Sequence, residues 1–219
     1  MKTMTTVRKG GLLTPDGFLF ELTGGDPALD FANTVDCRKG GEPRELLPSY
    51  EELARWAQQR EIITEEERDR LFGEARRRGG EARRVMRQAL ALREVLFEIF
   101  AAVGRRQPPP AAAVQRLEKF AHTASRQRRL VTTSGRTEWR WRGEKDLDRM
   151  LWPVIQAATE LLTSERASRI RVCDGDICAW LFLDNSRKGN RRWCDMTVCG
   201  NREKARRHYA RKVLATSTS

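Results

Sequence analysis

Four of the five cysteines in this 219-residue chain lie within a 27-residue stretch near its C-terminal end. Cys173 and Cys178 form one C-x4-C pair, and Cys194 and Cys199 form a second pair after fifteen intervening residues. Two close pairs of thiolates are the donor set of a tetrahedral Zn²⁺ site. A segment of about 50 residues seldom builds a stable core by hydrophobic burial alone, so a metal would also staple it. The spacing therefore predicts one zinc ion bound by these four cysteines.

Other roles for four cysteines are two disulfides, buried free thiols or an iron–sulfur cluster. The N-terminal stretch lacks the apolar segment of a secretory signal, and no run approaches the roughly 18 apolar residues of a membrane span. We therefore expect a cytoplasmic protein without a membrane partner, in which thiols stay reduced and zinc is favoured over disulfides. Four protein thiolates leave no open position for water, so the expected zinc is structural rather than catalytic. The fifth cysteine, Cys37, stands alone and is assigned no role.

The segment between the two cysteine pairs is predicted to be a β-hairpin that brings the pairs together. Ala179–Asp184 and Arg191–Trp193 are the expected strands, and the turn-rich residues 185–190 connect them. A hairpin returns to its starting point, which is what a shared metal site needs.

A helix is predicted over residues 202–214, which contain good helix formers and neither Gly nor Pro. Gly200 is expected to take a positive φ beside the last cysteine, and Asn201 to cap the helix. The residues expected to pack inward from this helix are Ala205, Tyr209, Val213 and Ala210.

The net charge of +12 is concentrated at this end of the chain, because residues 168–219 carry 12 Lys or Arg against 5 Asp or Glu. Such a surface suits a polyanion, most commonly nucleic acid, although a solvated, solubilising surface has the same composition. A zinc site would hold hairpin and helix in a fixed relation, with the helix in or across the major groove of double-stranded DNA. RNA and a protein partner remain as alternatives. The candidate DNA-contacting residues are Arg187, Lys188, Arg191, Arg192, Arg202, Lys204, Arg206, Arg207, Arg211 and Lys212.

Upstream of residue 168, hydrophobic periodicity predicts a mostly helical domain. One apolar stripe recurs every three or four residues from Val85 to Val103, and it suits either a core or a dimer interface. Capping residues start further helices at Asp26, Ser49 and Thr64, of which the last two have the pattern of a capping box. Additional helices are expected from Pro110 to about Ser125 and along the stripe from Leu147 to Leu161.

The remaining upstream patterns predict strands and a linker. Phe18–Leu22 and a hairpin over 128–142 are expected to supply a small antiparallel sheet, with Trp139 and Trp141 as core residues. The polar residues 163–168 have the composition of a linker. We therefore predict an α+β fold with two domains, a mostly helical one over 1–167 and a four-cysteine zinc finger, hairpin plus basic helix, over 168–219.

Within the first domain, Asp30, Asn33 and Thr34 are candidate ligand-binding residues on a short helix beside a Gly-Gly loop. Helix capping and tertiary hydrogen bonding are the alternative role for these three side chains. Neither His122 nor His208 has a nucleophile or carboxylate motif beside it, and neither a P-loop nor a G-x-G-x-x-G motif is present. We therefore expect a protein that is not an enzyme.

The cysteine-rich end resembles the CGNR zinc finger family. The matching residues are the two cysteine pairs, LFLDNSR at 181–187, the Arg-Trp-Cys run at 192–194 and the Cys-Gly-Asn-Arg run at 199–202. The upstream region resembles the ABATE domain that usually precedes this finger, through GGDPALDFANT at 24–34 and LPSYEELARWA at 47–57. One departure is Asp195, where the family pattern leads us to expect Ser, and an acid there weakens a phosphate contact at that position.

The family resemblance implies a bacterial, stress-related transcription regulator with a DNA-binding finger and a ligand-sensing domain. We therefore expect a zinc-dependent regulator, cytoplasmic and associated with the nucleoid, whose N-terminal domain senses a small-molecule effector or forms a homodimer. The competing interpretation is a zinc-stapled RNA- or protein-interaction module without promoter specificity.

Overall fold

The computed structural model describes residues 7–8, 10–15, 17–40 and 42–216, with side chains described for 10–15, 17–40 and 42–210. The chain is an α+β protein dominated by helices, as the sequence predicts. None of the helices in these ranges combines the length and apolar character that crossing a bilayer demands. The helices are α1 (Pro27–Ala32), α2 (Tyr50–Gln59), α3 (Glu65–Arg77), α4 (Gly79–Gly104), α5 (Ala111–Ser125), α6 (Leu151–Thr163) and α7 (Asn201–Thr216).

The described strands are short and pair antiparallel in separate small sheets. They are β1 (Val7–Arg8), β2 (Gly11–Thr14), β3 (Gly17–Phe20), β4 (Val35–Asp36), β5 (Arg44–Glu45), β6 (Arg128–Thr133), β7 (Arg136–Trp141), β8 (Ile170–Val172) and β9 (Leu181–Leu183). The sheets are β1-β2-β3, β4-β5, β6-β7 and β8-β9. The predicted strand Phe18–Leu22 and the predicted 128–142 hairpin both exist, but they do not share a sheet.

Side-chain caps start the first three helices. The caps of α1, α2 and α3 are Asp26, Ser49 and Thr64. The box at Thr64 is complete, because the hydroxyl accepts from Glu67 N at 3.2 Å and the Glu67 carboxylate accepts from Thr64 N at 2.8 Å. The box at Ser49 is only half formed, because the Glu52 carboxylate binds Arg55 at 2.7 Å instead.

Helix α4 is the centre of the fold and contacts α1, α2, α3, α5 and α6. Its apolar stripe is buried along nearly its whole length, from the fully buried Val85 to the partly buried Val103. The stripe therefore serves the core, and it is not available as the dimer interface that the sequence also allowed.

Arg93 shows that the polar side of α4 is not uniformly exposed. Its side chain is only 6% exposed and makes a bidentate ion pair with Glu45 at 2.6 and 2.8 Å. A charged group pays the cost of burial only when it is paired and hydrogen-bonded. The pair ties α4 to β5.

The β6-β7 hairpin turns through residues 134–135, both of which have positive φ, as a two-residue hairpin turn requires. Trp141 packs against Trp152 of α6 with ring centroids 5.9 Å apart. Trp139 and its cross-strand neighbour Leu130 are 56% and 60% exposed. The expectation that Trp139 is a core residue is therefore wrong, because the arm projects beyond the helices that cover its base.

Residues 163–168 do not form an extended linker. After α6 the chain makes a 3₁₀ turn over Glu165–Arg169 and enters β8 directly. Ile170 and the β9 residues are buried in the same hydrophobic cluster as the upstream helices, and β8 and β9 contact α4. The C-terminal module therefore rests on the helical body as well as on its metal. The boundary between 1–167 and 168–219 stays a prediction.

The hairpin of the C-terminal module differs from the predicted one. Its strands are β8 and β9, so the first cysteine pair lies at the hairpin tip, whereas Arg191–Trp193 is not a strand. The reason is Asp184, whose carboxylate accepts from Ser186 N at 3.0 Å and from Arg191 N at 2.9 Å. A side chain that closes a loop in this way replaces the backbone ladder.

Candidate metal centre and basic helix

The four cysteine sulfurs come together in one buried cluster. All four Sγ atoms lie within 4.8 Å of one another, and the distances from Cys194 Sγ to Cys178 Sγ and Cys199 Sγ are 3.7 and 3.8 Å. Sulfurs at 2.3 Å from a tetrahedral zinc ion are about 3.8 Å apart, whereas disulfide sulfurs are about 2.05 Å apart. The arrangement fits a metal tetrahedron and not disulfides.

Each part of the module contributes a ligand from a defined position. Cys173 follows β8 and Cys178 precedes β9. Cys194 ends the irregular return of the chain, and Cys199 lies in a π-helical turn over Met196–Gly200. π-helical turns are rare and often mark functional sites, and this one places Cys199 directly before α7.

Backbone N–H groups surround the sulfurs. Gly175 N and Cys194 N both lie 3.4 Å from Cys173 Sγ, and Trp180 N lies 3.4 Å from Cys178 Sγ. Such N–H···S contacts orient the ligands and stabilise negative charge on sulfur.

The sulfurs cannot all carry a negative charge without a cation. Hydrogen bonding from Cys178 lowers the pKa of Cys173, whereas hydrogen bonding to Cys173 raises the pKa values of Cys178 and Cys194. A divalent ion removes this conflict because it binds thiolates and compensates their charge. One structural zinc ion held by Cys173, Cys178, Cys194 and Cys199 accounts for the cluster.

The start of the C-terminal helix is built differently from the prediction. Asp195, not Asn201, is the cap, because its carboxylate accepts from Thr197 N at 2.6 Å and from Val198 N at 3.2 Å. The Thr197 hydroxyl also donates to this carboxylate at 2.6 Å, and this hydrogen bond lowers the pKa of Asp195. Asn201 has helical dihedrals and its amide donates to Thr197 O. Asp195 therefore starts the helix.

Gly200 does not adopt the positive φ that we expected. It lies within the helical path, where a Cβ atom would come within 2.5 Å of Met196 Sδ. The missing side chain at Gly200 leaves room for the Met196 thioether, and a left-handed turn is not involved.

Helix α7 leaves the body of the protein after its first turn. Among its described side chains, only Arg202 and Glu203 are partly buried, and those from Lys204 to Ala210 are exposed. Tyr209 is 70% exposed. The predicted inward packing of Ala205, Tyr209 and Ala210 is therefore wrong, and Val213 lies outside the described side chains. Within the described residues, no part of the body covers this helix beyond its first turn.

The ten candidate DNA-contacting residues fall into several groups. Arg187, Lys188 and Lys204 are exposed and make no ion pair within the described residues. Arg206 and Arg207 both bind Glu203, at 2.9 and 2.8 Å, and the Arg206 hydrogen bond is the main cause that lowers the pKa of Glu203 to about 2. The side chains of Arg211 and Lys212 lie outside the described ranges.

The remaining three of the ten are Arg191, Arg192 and Arg202. Arg191 donates to the carbonyls of Trp193 and Cys194 and lies 4.6 Å from the Phe182 ring centroid. Arg192 pairs with Asp174 at 2.8 Å. Arg202 is partly buried and lines a small cavity beside Asp195. Arg191 and Arg192 therefore bind groups within the module itself, which sequence spacing alone did not indicate.

The candidate ligand residues of the helical body are buried and hydrogen-bonded within the protein. Asp30 accepts from Gly24 N at 2.7 Å and pairs with Arg60 at 3.0 Å. Burial raises the pKa of Asp30 to about 6, although the Gly24 hydrogen bond and the charge of Arg60 both lower it. Thr34 Oγ1 donates to Phe31 O at 2.7 Å. The contacts agree with the capping and tertiary-contact alternative, and ligand binding at Asp30, Asn33 and Thr34 stays a prediction.

Asn33 has a further role because it binds the zinc module directly. Its Nδ2 donates to Leu181 O at 2.9 Å and its Oδ1 accepts from Leu181 N at 2.8 Å. Leu183 N donates to Gly24 O at 2.9 Å. The GGDPALDFANT stretch thus pairs with the edge of β9 that β8 leaves open.

A second contact between body and zinc module follows the same stretch. Lys39 Nζ donates to Cys173 O at 2.7 Å, and Trp180 Nε1 donates to Val35 O at 2.9 Å. A Cβ atom at Gly40 would lie 2.2 Å from Ile177 Cβ, so the glycine permits the two segments to touch. Sequence reasoning missed Lys39 and Val35, since no local pattern identifies a partner so far along the chain.

Comparisons with known families agree with this architecture. Residues 25–165 match the ABATE model, described as "Putative stress-induced transcription regulator". Residues 169–212 match the CGNR zinc finger model. No curated protein matches the chain significantly. Because the first match spans more than half of its length, the chain belongs to the ABATE family and carries a CGNR zinc finger after the ABATE domain.

Proposed function

We propose that this zinc-binding regulator binds double-stranded DNA through α7, and that its helical body senses a small effector or forms a homodimer. The observation that carries the proposal is α7 itself. It is a basic helix that starts at a zinc ligand and is exposed on all sides from Lys204 to Ala210, the last residue with a described side chain.

A helix of this kind needs a partner. Most helical stability in proteins comes from the packing of an apolar face, and a helix that is polar on every side gains little from packing. The zinc centre and the Asp195 cap hold only its first turn. The major groove of DNA accommodates one helix, and phosphates supply the charge that six Lys or Arg between residues 201 and 216 would neutralise.

The contacts of the basic residues support different roles in this complex. Arg187, Lys188 and Lys204 are ready for phosphates, because no carboxylate among the described residues competes for them. Arg206 and Arg207 would exchange Glu203 for phosphate oxygens, which accept the same guanidinium hydrogen bonds. Arg191 and Arg192 would contribute mainly by holding the loops of the module, because their side chains already bind Trp193 O and Asp174.

Salt-dependent binding tests this proposal. Duplex DNA affinity of the zinc-loaded protein is measured by fluorescence anisotropy over a range of salt concentrations. The Arg206→Ala, Arg207→Ala, Arg211→Ala variant should bind more weakly, and its salt slope should fall by up to about 2.7, because each lost phosphate contact removes about 0.9.

A control of equal charge removes three arginines in and next to the β6-β7 arm, Arg129, Arg136 and Arg142, which are exposed. This control should keep most of the affinity and slope. Unchanged duplex binding by the α7 variant, or an equal loss in both variants, would show that α7 is not the contact.

One observation favours the RNA alternative. Tyr209 is an exposed aromatic residue on a basic helix, and stacking of unpaired bases on such a residue contributes about 1–3 kcal/mol per base. If a Tyr209→Ala variant loses single-stranded RNA binding while duplex DNA binds weakly to both proteins, RNA is the partner.

The remaining parts of the proposal follow from the site. Four thiolates leave zinc without an open position for water, so we infer a structural metal and no catalytic role for it. A reducing cytoplasm, at the nucleoid, preserves such thiolates and supplies DNA. A homodimer would use a surface other than the α4 stripe, which is buried.

A further inference from the structure

The end of α3 and the start of α4 carry an unusual density of arginines, six between residues 76 and 87. Half of them have a carboxylate partner, Glu74 or Glu81: Arg77 at 2.6 Å, Arg78 at 2.7 Å and Arg84 at 3.4 Å. The other half make no ion pair or hydrogen bond among the described residues: Arg76, Arg83 and Arg87.

The three arginines without a partner all line one cavity of about 590 Å³ between the start of α2, the end of α3 and the start of α4. The three paired arginines do not line it. The arginines without a partner are thus also the ones that face this cavity. Ligand sites usually measure about 300–1,000 Å³, so the volume suits a small molecule.

The cavity has a positive rim and an apolar wall. Leu47, Met86 and Leu90 contribute to the wall. Of its two carboxylates, Glu45 is occupied by Arg93 and by Leu47 N at 2.8 Å. Glu51 is then the remaining carboxylate of the lining, against the three guanidinium groups of Arg76, Arg83 and Arg87.

We propose that this cavity binds a small amphipathic anion. Its carboxylate or phosphate monoester group is held by Arg76, Arg83 and Arg87, and its apolar body lies against the wall. Guanidinium groups suit this role because their planar donors bind such oxyanions in pairs. The inference deepens the sensing part of the proposed function and does not depend on DNA binding.

A second cavity, of about 450 Å³ between α4, α5 and α6, lacks this charge pattern. Its Arg116 pairs with Glu98, and its Glu94 pairs with Arg38 at 2.7 Å. Lys119 is the one cation of that lining without a described ion pair. The arginine-lined cavity is therefore the better anion site.

Calorimetric titration of the full-length, zinc-loaded protein tests the proposal with octanoate and octyl phosphate, which distinguish the two head groups. Acetate and 1-octanol separate the contributions of charge and apolar body. At least one amphipathic anion should bind more tightly than both of these compounds. In an Arg83→Gln, Arg87→Gln variant its affinity should fall about tenfold, since charge-assisted hydrogen bonds are lost.

The matched control is an Arg77→Gln, Arg84→Gln variant, which removes the same charge from the same region outside the cavity. Its affinity should stay within about twofold of the parent, because exposed ion pairs contribute little. Absence of binding by both anions, equal binding of 1-octanol, or equal loss in the two variants would overturn the proposal.

Duplex DNA binding by the same two variants tests whether these arginines contact DNA instead of a small anion. If Arg83→Gln, Arg87→Gln weakens DNA binding more than the control does, the arginines contact DNA and the anion proposal fails. A parent protein that binds octanoate but no nucleic acid would keep this inference and refute the DNA-binding part of the proposed function.

Discussion

The contact between Asn33 and β9 makes the most specific prediction about stability. Cys173 N donates to Trp180 O and Asp184 N donates to Arg169 O, so the even-numbered residues of this strand pair with β8 and its immediate flanks. In an antiparallel pair the alternate residues point their peptide groups away from the neighbour. Leu181 therefore points outward, and the Asn33 amide takes both its N–H and its C=O.

An Asn33→Ala substitution removes both hydrogen bonds at once. Leu181 is fully buried, so water cannot replace the lost partner without opening the interface. Each buried group left unpaired costs about 1–3 kcal/mol, so the free energy of unfolding should fall by about 2–6 kcal/mol. That is a large part of the roughly 5–15 kcal/mol that is typical of a domain. Zinc should also be released faster, because β9 leads out of the first cysteine pair.

Guanidinium denaturation of the zinc-loaded protein, followed by tryptophan fluorescence, measures the first effect, and transfer of zinc to a chelator measures the second. Thr34→Val is the matched control. Thr34 is next to Asn33 and equally buried, but its hydroxyl donates locally to Phe31 O. After the substitution Phe31 O still accepts from Thr34 N, which lies at 3.1 Å. The control should lose about 1 kcal/mol or less. If Asn33→Ala lost no more than the control and retained zinc equally well, the pairing would not stabilise the module.

Three further predictions concern the metal, the helix cap and pH. Purified protein should contain one zinc ion per chain, and Cys178→Ser should abolish zinc binding and unfold the C-terminal module, as measured by circular dichroism. Metal analysis that finds no zinc, together with thiol titration that finds disulfides, would contradict this. Asp195→Ala should reduce the helicity of α7 and cost about 0.5–2 kcal/mol, whereas Asp195→Asn, which still caps, should cost less; equal losses would exclude the capping role. Because the folded protein holds the Asp30 proton up to about pH 6 and the unfolded chain releases it near 3.8, this group stabilises the fold fully below about pH 4, and the contribution is lost as pH rises through about 6. Asp30→Asn should flatten that pH dependence in thermal denaturation, and parallel profiles for the two proteins would refute the raised pKa.

Local patterns were reliable where local physics decides the structure. The stripe from Val85 predicted α4, because burying one face of a helix needs only correct periodicity. The Ser134-Gly135 pair predicted the β6-β7 turn, because that turn needs two residues with positive φ. The zinc ligands were predictable for a similar reason, since four thiolates in close pairs have few other stable arrangements.

The failures share a different cause. Trp139 and Tyr209 are aromatic residues at positions that suit packing, yet both are exposed in the part of the chain that the structure describes. A local pattern carries no information about what lies opposite a side chain. Arg191–Trp193 has strand-like residues, but the Asp184 carboxylate accepts the hydrogen bonds of Ser186 N and Arg191 N and so holds the segment as a loop. Asp195 was interpreted by its charge near DNA, whereas its short side chain caps the helix.

The sequence by itself determined that four cysteines can share one metal, where α1, α2 and α3 begin, and that residues 168–219 carry an excess of Lys and Arg. These properties depend on residue type and short spacing, and so they can be predicted from the sequence. Tertiary structure alone decided that the ABATE stretch from Gly24 to Asn33 pairs with β9, and that three arginines converge on one cavity. Such contacts join residues as far apart as 33 and 181, and their hydrogen bonds and charges exist only after the chain has folded.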